Sequence, residues 1–355
     1  MQIGIPRALM YYNYYTFWYG FLNALNIEIV LSDKTTKNIM SAGSSLVVTE
    51  TCLPIKIYTG HVLNLLEKGV DKILVPSIQS ISHKIYNCSK IRGLPDLIKN
   101  VIKKDFTIID ATLDKSQKDQ GLYYFLKGIA AHFSIFDEKK IREASKEGWK
   151  IYNNFNVMLR SGIEYEKALK LALNGQVVVQ SDEPEFPINV AVIAHGYNLY
   201  DDRVSMKLIS KLKAMDVKAH TAQNLTVEQM KKGIETLGQE LYWANEYEMS
   251  GAAGHYLQDN KIDGLITLTA FGCGPDSLMI DRISRKIHDF KKPLLNLTVD
   301  EHTGEAGFIT RLEAFVDMLY RKKRAGIINK ISLNESKTIR KTSSTDTQNQ
   351  VNLNK

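Results

Sequence analysis

Cysteine is scarce: three in 355 residues, an odd number, with none of the tight pairs of zinc ribbons or ferredoxins. A disulfide framework is thereby excluded. There is no secretory h-region and no apolar run near eighteen residues, since the aromatic stretch YYNYYTFWYGFLNALNIEIV is broken by Asn13, Asn23 and Asn26. These absences predict a cytosolic, soluble chain with no membrane partner. Neither GxxxxGK(S/T) nor a strand-linked GxGxxG occurs, so the two common kinds of nucleotide site lack support. A basic groove is missing too. Of the net +7, residues 321–355 carry all, with nine Lys/Arg against two Asp/Glu, leaving 37 of each sign in 1–320. A neutral body predicts no nucleic-acid partner.

With 44% apolar residues, this length suits two α/β cores. Short β-branched runs alternate with helical patterns, which predicts parallel sheets with crossover helices. The strand candidates are 2–5, 27–31, 45–50, 72–77 and 106–110, then 188–194, 217–221, 264–269 and 294–299. Helices are expected near 13–25, 55–68 and 96–104, then 203–215, 245–259, 276–289 and 305–322, with 120–175 almost wholly helical. The aromatic helix at 11–22 reads as a core helix, or alternatively as a dimer contact. The expected organisation is an N-terminal lobe (1–118) with Cys52 and Cys88, a helical connecting region (119–182), a C-terminal lobe (183–330) with Cys273, and a disordered polar, basic tail (331–355). Both lobes are read as Rossmann-like or flavodoxin-like, with a site between them.

Cysteine placement carries the chemistry. TETCLP and FGCGPDS each run from strand to Cys-x-Pro to helix, which puts Cys52 and Cys273 at strand ends, where open parallel sheets hold ligands. Cys88, in the loop SHKIYNCSKIRG, is expected on the same rim. A helix N-terminus favours the thiolate, the form that binds metal. Gly272 and Gly274 remove Cβ crowding and let a cofactor approach the backbone, and Pro275 fits the first helical turn. Three converging thiolates suit a [4Fe–4S] cluster with one open iron, or a zinc ion held by three cysteines. The same spacing also suits three unrelated buried thiols. Glu50, Lys56, His61, His302 and Glu305 are candidates for substrate or supporting roles. His61 alternatively caps the sheet, and DEHTGE (300–305) alternatively is an acidic helix start.

IGIPRALMYYNYYTFWYGFLNAL and TETCLPIKIYTGHV, followed by HGYNLYDD, TAFGCGPDS and DEHTGEAGFITRLEAF, resemble the acyl-CoA dehydratase activase-related family over about residues 1–320. That family in turn resembles the subunits of 2-hydroxyacyl-CoA dehydratases and the double-cubane cluster proteins. The resemblance implies an oxygen-sensitive iron–sulfur protein of anaerobic metabolism, with Cys52, Cys88 and Cys273 as cluster ligands. Relatives often show Cys-Pro where Cys88 is followed here by Ser89. The implied partners are an ATP-dependent activase of actin-like fold that donates electrons, a paralogous or identical subunit, and an acyl-CoA or similarly inert substrate. With no ATPase glycine motif, this chain falls on the electron-accepting side, as a lyase or reductase component. The alternatives are a non-catalytic cluster-carrying relay for a paralogous subunit and a zinc enzyme with three cysteine ligands.

Overall fold

The computed structural model describes residues 1–83, 85–180, 184–238 and 243–325; the basic tail expected at 331–355 lies outside them. The chain divides into a compact unit Met1–Glu305 and a second, Ala306–Lys355, in which residues 306–325 are helical.

The first unit begins with β1 (Gln2–Ile5), α1 (Tyr11–Ala24), β2 (Glu28–Leu31), α2 (Lys37–Leu46), α3 (Leu53–Glu67) and β3 (Lys72–Leu74). β4 (Ser77–Ser82), β5 (Ile85–Tyr86), α4 (Ser89–Arg92), α5 (Leu94–Val101), β6 (Thr107–Ile109) and β7 (Thr112–Asp114) follow. Its main sheet is parallel throughout, in the order β2-β1-β3-β6. Beyond Pro76 the β3/β6 pair continues as β4/β7, with β5 antiparallel at the edge. The run 72–77 is therefore two strands, because proline cannot donate to a ladder and the chain bends there.

Three helices follow, α6 (Leu122–Ala131), α7 (Glu138–Arg160) and α8 (Tyr165–Leu173). α7 packs against α1 at a glycine contact: a Cβ on Gly20 would lie 2.8 Å from the Glu147 carbonyl, and one on Gly148 2.8 Å from that of Phe17. Phe17, Trp18, Phe21 and Leu22 are buried there, so α1 is a core helix.

The later part holds β8 (Ile188–Ala194), α9 (Gly196–Leu199), α10 (Leu208–Ala214), β9 (Val217–Thr221), α11 (Val227–Leu237), α12 (Ala244–Gln258), β10 (Gly264–Ala270), α13 (Gly274–Phe290) and β11 (Leu294–Val299). Its parallel sheet runs β11-β10-β8-β9. Every residue of β10 is buried, as a parallel strand covered on both faces requires.

Counted by appearance, both sheets have the order 2-1-3-4, the start of the flavodoxin-like arrangement, whose switch point lies between strands 1 and 3. Each also inserts a glycine-packed helix pair before its third strand. In α2/α3 a Cβ on Gly60 would fall 1.9 Å from the Ile39 carbonyl; in α11/α12 one on Gly254 would fall 1.9 Å from that of Gly233. This corrects the strand expected at 45–50. Thr36 caps α2 by accepting from the Ile39 N–H, the helix runs to Leu46, and Val47–Thr51 form the link to α3.

Candidate functional site

All three cysteines are helix N-caps with extended backbone: Cys52 opens α3, Cys88 opens α4 and Cys273 opens α13. None accepts a side-chain cap hydrogen bond, yet the backbone N–H of Ile55 favours the Cys52 thiolate, those of Ile91 and Lys90 the Cys88 thiolate, and that of Asp276 the Cys273 thiolate. By fold position Cys273 corresponds to Cys88, both following the third strand's extension, whereas Cys52 corresponds to the start of α12. The apparent repeat between TETCLP and FGCGPDS thus pairs unlike places.

The fold brings the cysteines into range of one another. Cys52 interacts electrostatically with Cys88, Cys273 with Cys52, and Tyr197 with all three. Among the described residues the donors that gather within 4.8 Å are a different set, His195, Cys273 and Asp276. Three thiolates on one zinc at 2.3 Å would lie about 3.8 Å apart, closer than the cysteine trio stands. Burial pushes all three thiols above their ordinary value, against the pull of these N–H groups and, for Cys52 and Cys88, of Lys90. The expectation that the helix starts alone yield thiolates therefore meets a stronger opposing effect. A bound metal restores the charged form and releases the proton.

Gly272 has φ +76, and a Cβ there would lie 3.6 Å from the Glu50 carbonyl, so its need is conformational and the Cys52 and Cys273 loops abut. A Cβ on Gly274 would meet nothing within 4 Å. Glu50 is exposed. Lys56, 3% exposed, donates to the Thr49 carbonyl at 2.9 Å and pairs with Glu301 across the lobes. Although burial opposes ionisation of Glu301, the hydrogen bond and charge of Lys56 hold its carboxyl below the usual range. Of its neighbours, His302 has a side chain that is 86% exposed with Nε2 4.0 Å from Glu301 Oε1, and Glu305 pairs with Lys211 at 2.8 Å. His61 is fully buried, with Nε2 2.9 Å from Thr35 Oγ1, which donates to Asp201. Tyr12 Oη also donates to Asp201, at 3.2 Å. His61 thus belongs to a second inter-lobe junction.

Three residues, His195, Asp276 and Glu246, were not singled out by sequence reasoning. His195 and Cys273 follow β8 and β10, the strands flanking the switch point. His195 Nε2 lies 2.7 Å from Asp276 Oδ1, both buried, and its ring stacks on Tyr197 at 4.8 Å. Glu246, on the first turn of α12, is 3% exposed and interacts with His195, Asp276 and Cys88. Glu301 belongs to the 300–305 cluster, in which sequence reasoning prefers His302 and Glu305 as candidates. Trp243, the N-cap of α12, bridges Tyr86 on β5 and brings that turn to the Cys88 hairpin. The readable signal was HGYN directly after a strand, which marks His195. A cleft of about 640 Å³ lies along β9, between Arg160, Tyr165, Tyr200, Lys207 and His220; none of the sequence-named site residues lines it.

Burial, then the nearby charge of Asp276, pushes the Glu246 carboxyl up to about 7, with His195 opposing. A carboxyl raised in the fold contributes stability that is complete below its unfolded value of about 4.5 and is lost as pH rises through 7. Glu246→Gln is expected to stabilise the chain by on the order of 2 kcal/mol at pH 8, with the gain shrinking towards pH 5. Urea melts at the two pH values check this; equal shifts at both would contradict it.

Two parallel sheets of order 2-1-3-4, with three helices that begin at cysteines, define a cysteine-bearing α/β protein. Residues 2–225 match the family described as CoA enzyme activase uncharacterised domain (DUF2229), and the chain belongs to that family. It is an activase-related family, as the motifs implied. No curated protein matches the chain. Among the described residues no helix is long and apolar enough to cross a membrane.

Proposed function

We propose that the chain carries an iron–sulfur cluster on Cys52, Cys88 and Cys273. In this reading it is a cytoplasmic redox component related to 2-hydroxyacyl-CoA dehydratases, receives electrons from an ATP-dependent activase, and acts on an acyl-CoA or similarly inert molecule. One observation supports this above the rest: of the cysteines from three separate segments, each at a helix start, Cys52 interacts with both Cys88 and Cys273, and Tyr197 with all three. The donor set fits such a group, with first-turn backbone N–H groups close enough to Cys52 and Cys88 to favour their thiolates and nothing within 4 Å of a Cβ at Gly274. When bound, the cluster would supply one-electron transfer and an open coordination position.

The chain's own residues hold the thiols in place and keep water away. Lys90 offsets thiolate charge at Cys52 and Cys88, Tyr197 is within electrostatic range of all three thiols, and the Lys56–Glu301 pair ties the Cys52 loop to the turn after β11. Leu46, Val48, Phe271 and Leu278 are exposed around the Cys52 and Cys273 loops, Phe271 at 69%. That apolar rim suits a protein partner, the activase or a paralogous subunit.

The deciding experiment is iron and acid-labile sulfide per chain, with an EPR spectrum of dithionite-reduced protein, on anaerobically purified material. About four of each is expected, with loss on Cys52→Ala, Cys88→Ala or Cys273→Ala. Iron-free protein after reconstitution overturns the reading. A cluster that reduces reversibly yet shows no substrate-induced spectral change, activase present, points to an electron relay.

A further inference from the structure

The ground beside Cys273 carries a chemistry that the three-cysteine reading leaves unused. His195 Nε2, Cys273 Sγ and a carboxylate oxygen of Asp276 lie within 4.8 Å of one another. Asp276 is 1% exposed, yet its Oδ2 has no hydrogen-bond partner; Glu246, 3% exposed, leaves Oε2 likewise unpartnered. Buried polar atoms are normally satisfied, and two orphaned carboxylate oxygens beside one imidazole call for a ligand. Charge selects its kind. Asp276, Glu246 and Glu248 all act on the single His195 ring, so an anion is repelled, while a neutral donor would satisfy the lone pairs and leave the excess negative charge. A cation answers both.

We propose that His195, Cys273 and Asp276 form a three-donor binding site for one divalent cation of the zinc or ferrous class, with the nearby Glu246 carboxyl adding negative charge outside the donor set. Imidazole, thiolate and carboxylate together suit a borderline-soft ion; calcium and magnesium prefer oxygen alone. On binding, the Cys273 proton leaves and the His195–Asp276 hydrogen bond gives way to two metal bonds. The site uses neither Cys52 nor Cys88. Cys273 serves one group at a time, so the cation occupies the cluster-free chain.

The test is an anaerobic Co²⁺ titration of the full-length, metal-free chain and of a Cys52→Ala/Cys88→Ala variant. Both are expected to show a thiolate-to-cobalt charge-transfer band and tetrahedral d–d absorption, saturating at one ion per chain. Cys273→Ala should abolish the charge-transfer band. His195→Gln and Asp276→Asn should weaken binding by at least about tenfold, with circular dichroism confirming an intact fold. The proposal is overturned if the double-cysteine variant loses the signal, if His195→Gln titrates like the parent, or if no charge-transfer band appears. Because the double variant lacks two proposed cluster ligands, cobalt binding there is independent of the iron result, and either reading can fail alone.

Discussion

Replacing Gly60 by alanine is expected to destabilise the chain by about 3 kcal/mol or more, or to abolish soluble expression. Helix propensity alone predicts the opposite sign, since alanine in a helix interior is favoured over glycine by roughly 0.5–1 kcal/mol. Packing decides the outcome. The new Cβ would stand 1.9 Å from the Ile39 carbonyl and 2.8 Å from its carbon, both backbone atoms that no rotamer change can move. Gly43→Ala should behave alike, its Cβ falling 1.9 Å from the Lys56 carbonyl. Gly121→Ala is the control: φ is −71 and nothing lies within 4 Å of the added atom, so its midpoint should move by less than about 0.5 kcal/mol. Urea melts with unchanged slope would measure all three. A neutral or stabilising Gly60→Ala would show that α2 and α3 are further apart than described. Cys52 and Lys56 both sit on the first turn of α3, so loosening this pair should also lower iron retention.

That helix pair also marks what the sequence let through. β8 to β11 were readable nearly residue by residue, because buried parallel strands are continuous apolar runs. Val47–Thr49 carried the same signal and form no strand; the Thr36 cap and the Gly43–Gly60 approach overrode local β propensity, and that approach joins separate segments. Cys52, Cys88 and Cys273 could be picked out as candidates because each stands at an element boundary, and the fold makes each a helix N-cap. Their neighbours could not. Asp276 reads as an ordinary first-turn acid, and only the fold sets it against His195, 81 residues away. In DEHTGE the choice among Glu301, His302 and Glu305 was made by a turn. Asp300 accepts from the His302 N–H at 2.9 Å and the Thr303 hydroxyl at 2.6 Å, while the Glu301 side chain is directed to Lys56 and that of His302 to solvent.

Lys56→Met is expected to cost about 3 kcal/mol, the low end of the range for breaking a buried ion pair, because Glu301 keeps 17% of its side-chain exposure and recovers part of its hydration. The loss has two parts. Glu301 loses its cation, and the Thr49 carbonyl loses its donor, freeing the link that leads into Cys52. Adding Glu301→Leu to Lys56→Met should restore half or more of the loss, since removing both charges leaves no buried ion unpaired. Purely additive losses in that cycle would mean the two side chains do not interact. The pH dependence gives a second check. A carboxyl held below its unfolded value contributes stability that is present above about pH 4.5 and is lost as pH falls through the folded value. The gap between parent and Lys56→Met should therefore be full at pH 7 and narrow as the pH falls below the ordinary carboxylate range, down to the part owed to the Thr49 carbonyl. Because the pair joins the start of α3 to the turn after β11, its loss should also widen the spacing between Cys52 and Cys273. Lower iron content in Lys56→Met that returns in the double variant would tie the clamp to the geometry of the site, whereas iron content unchanged in both would confine it to stability.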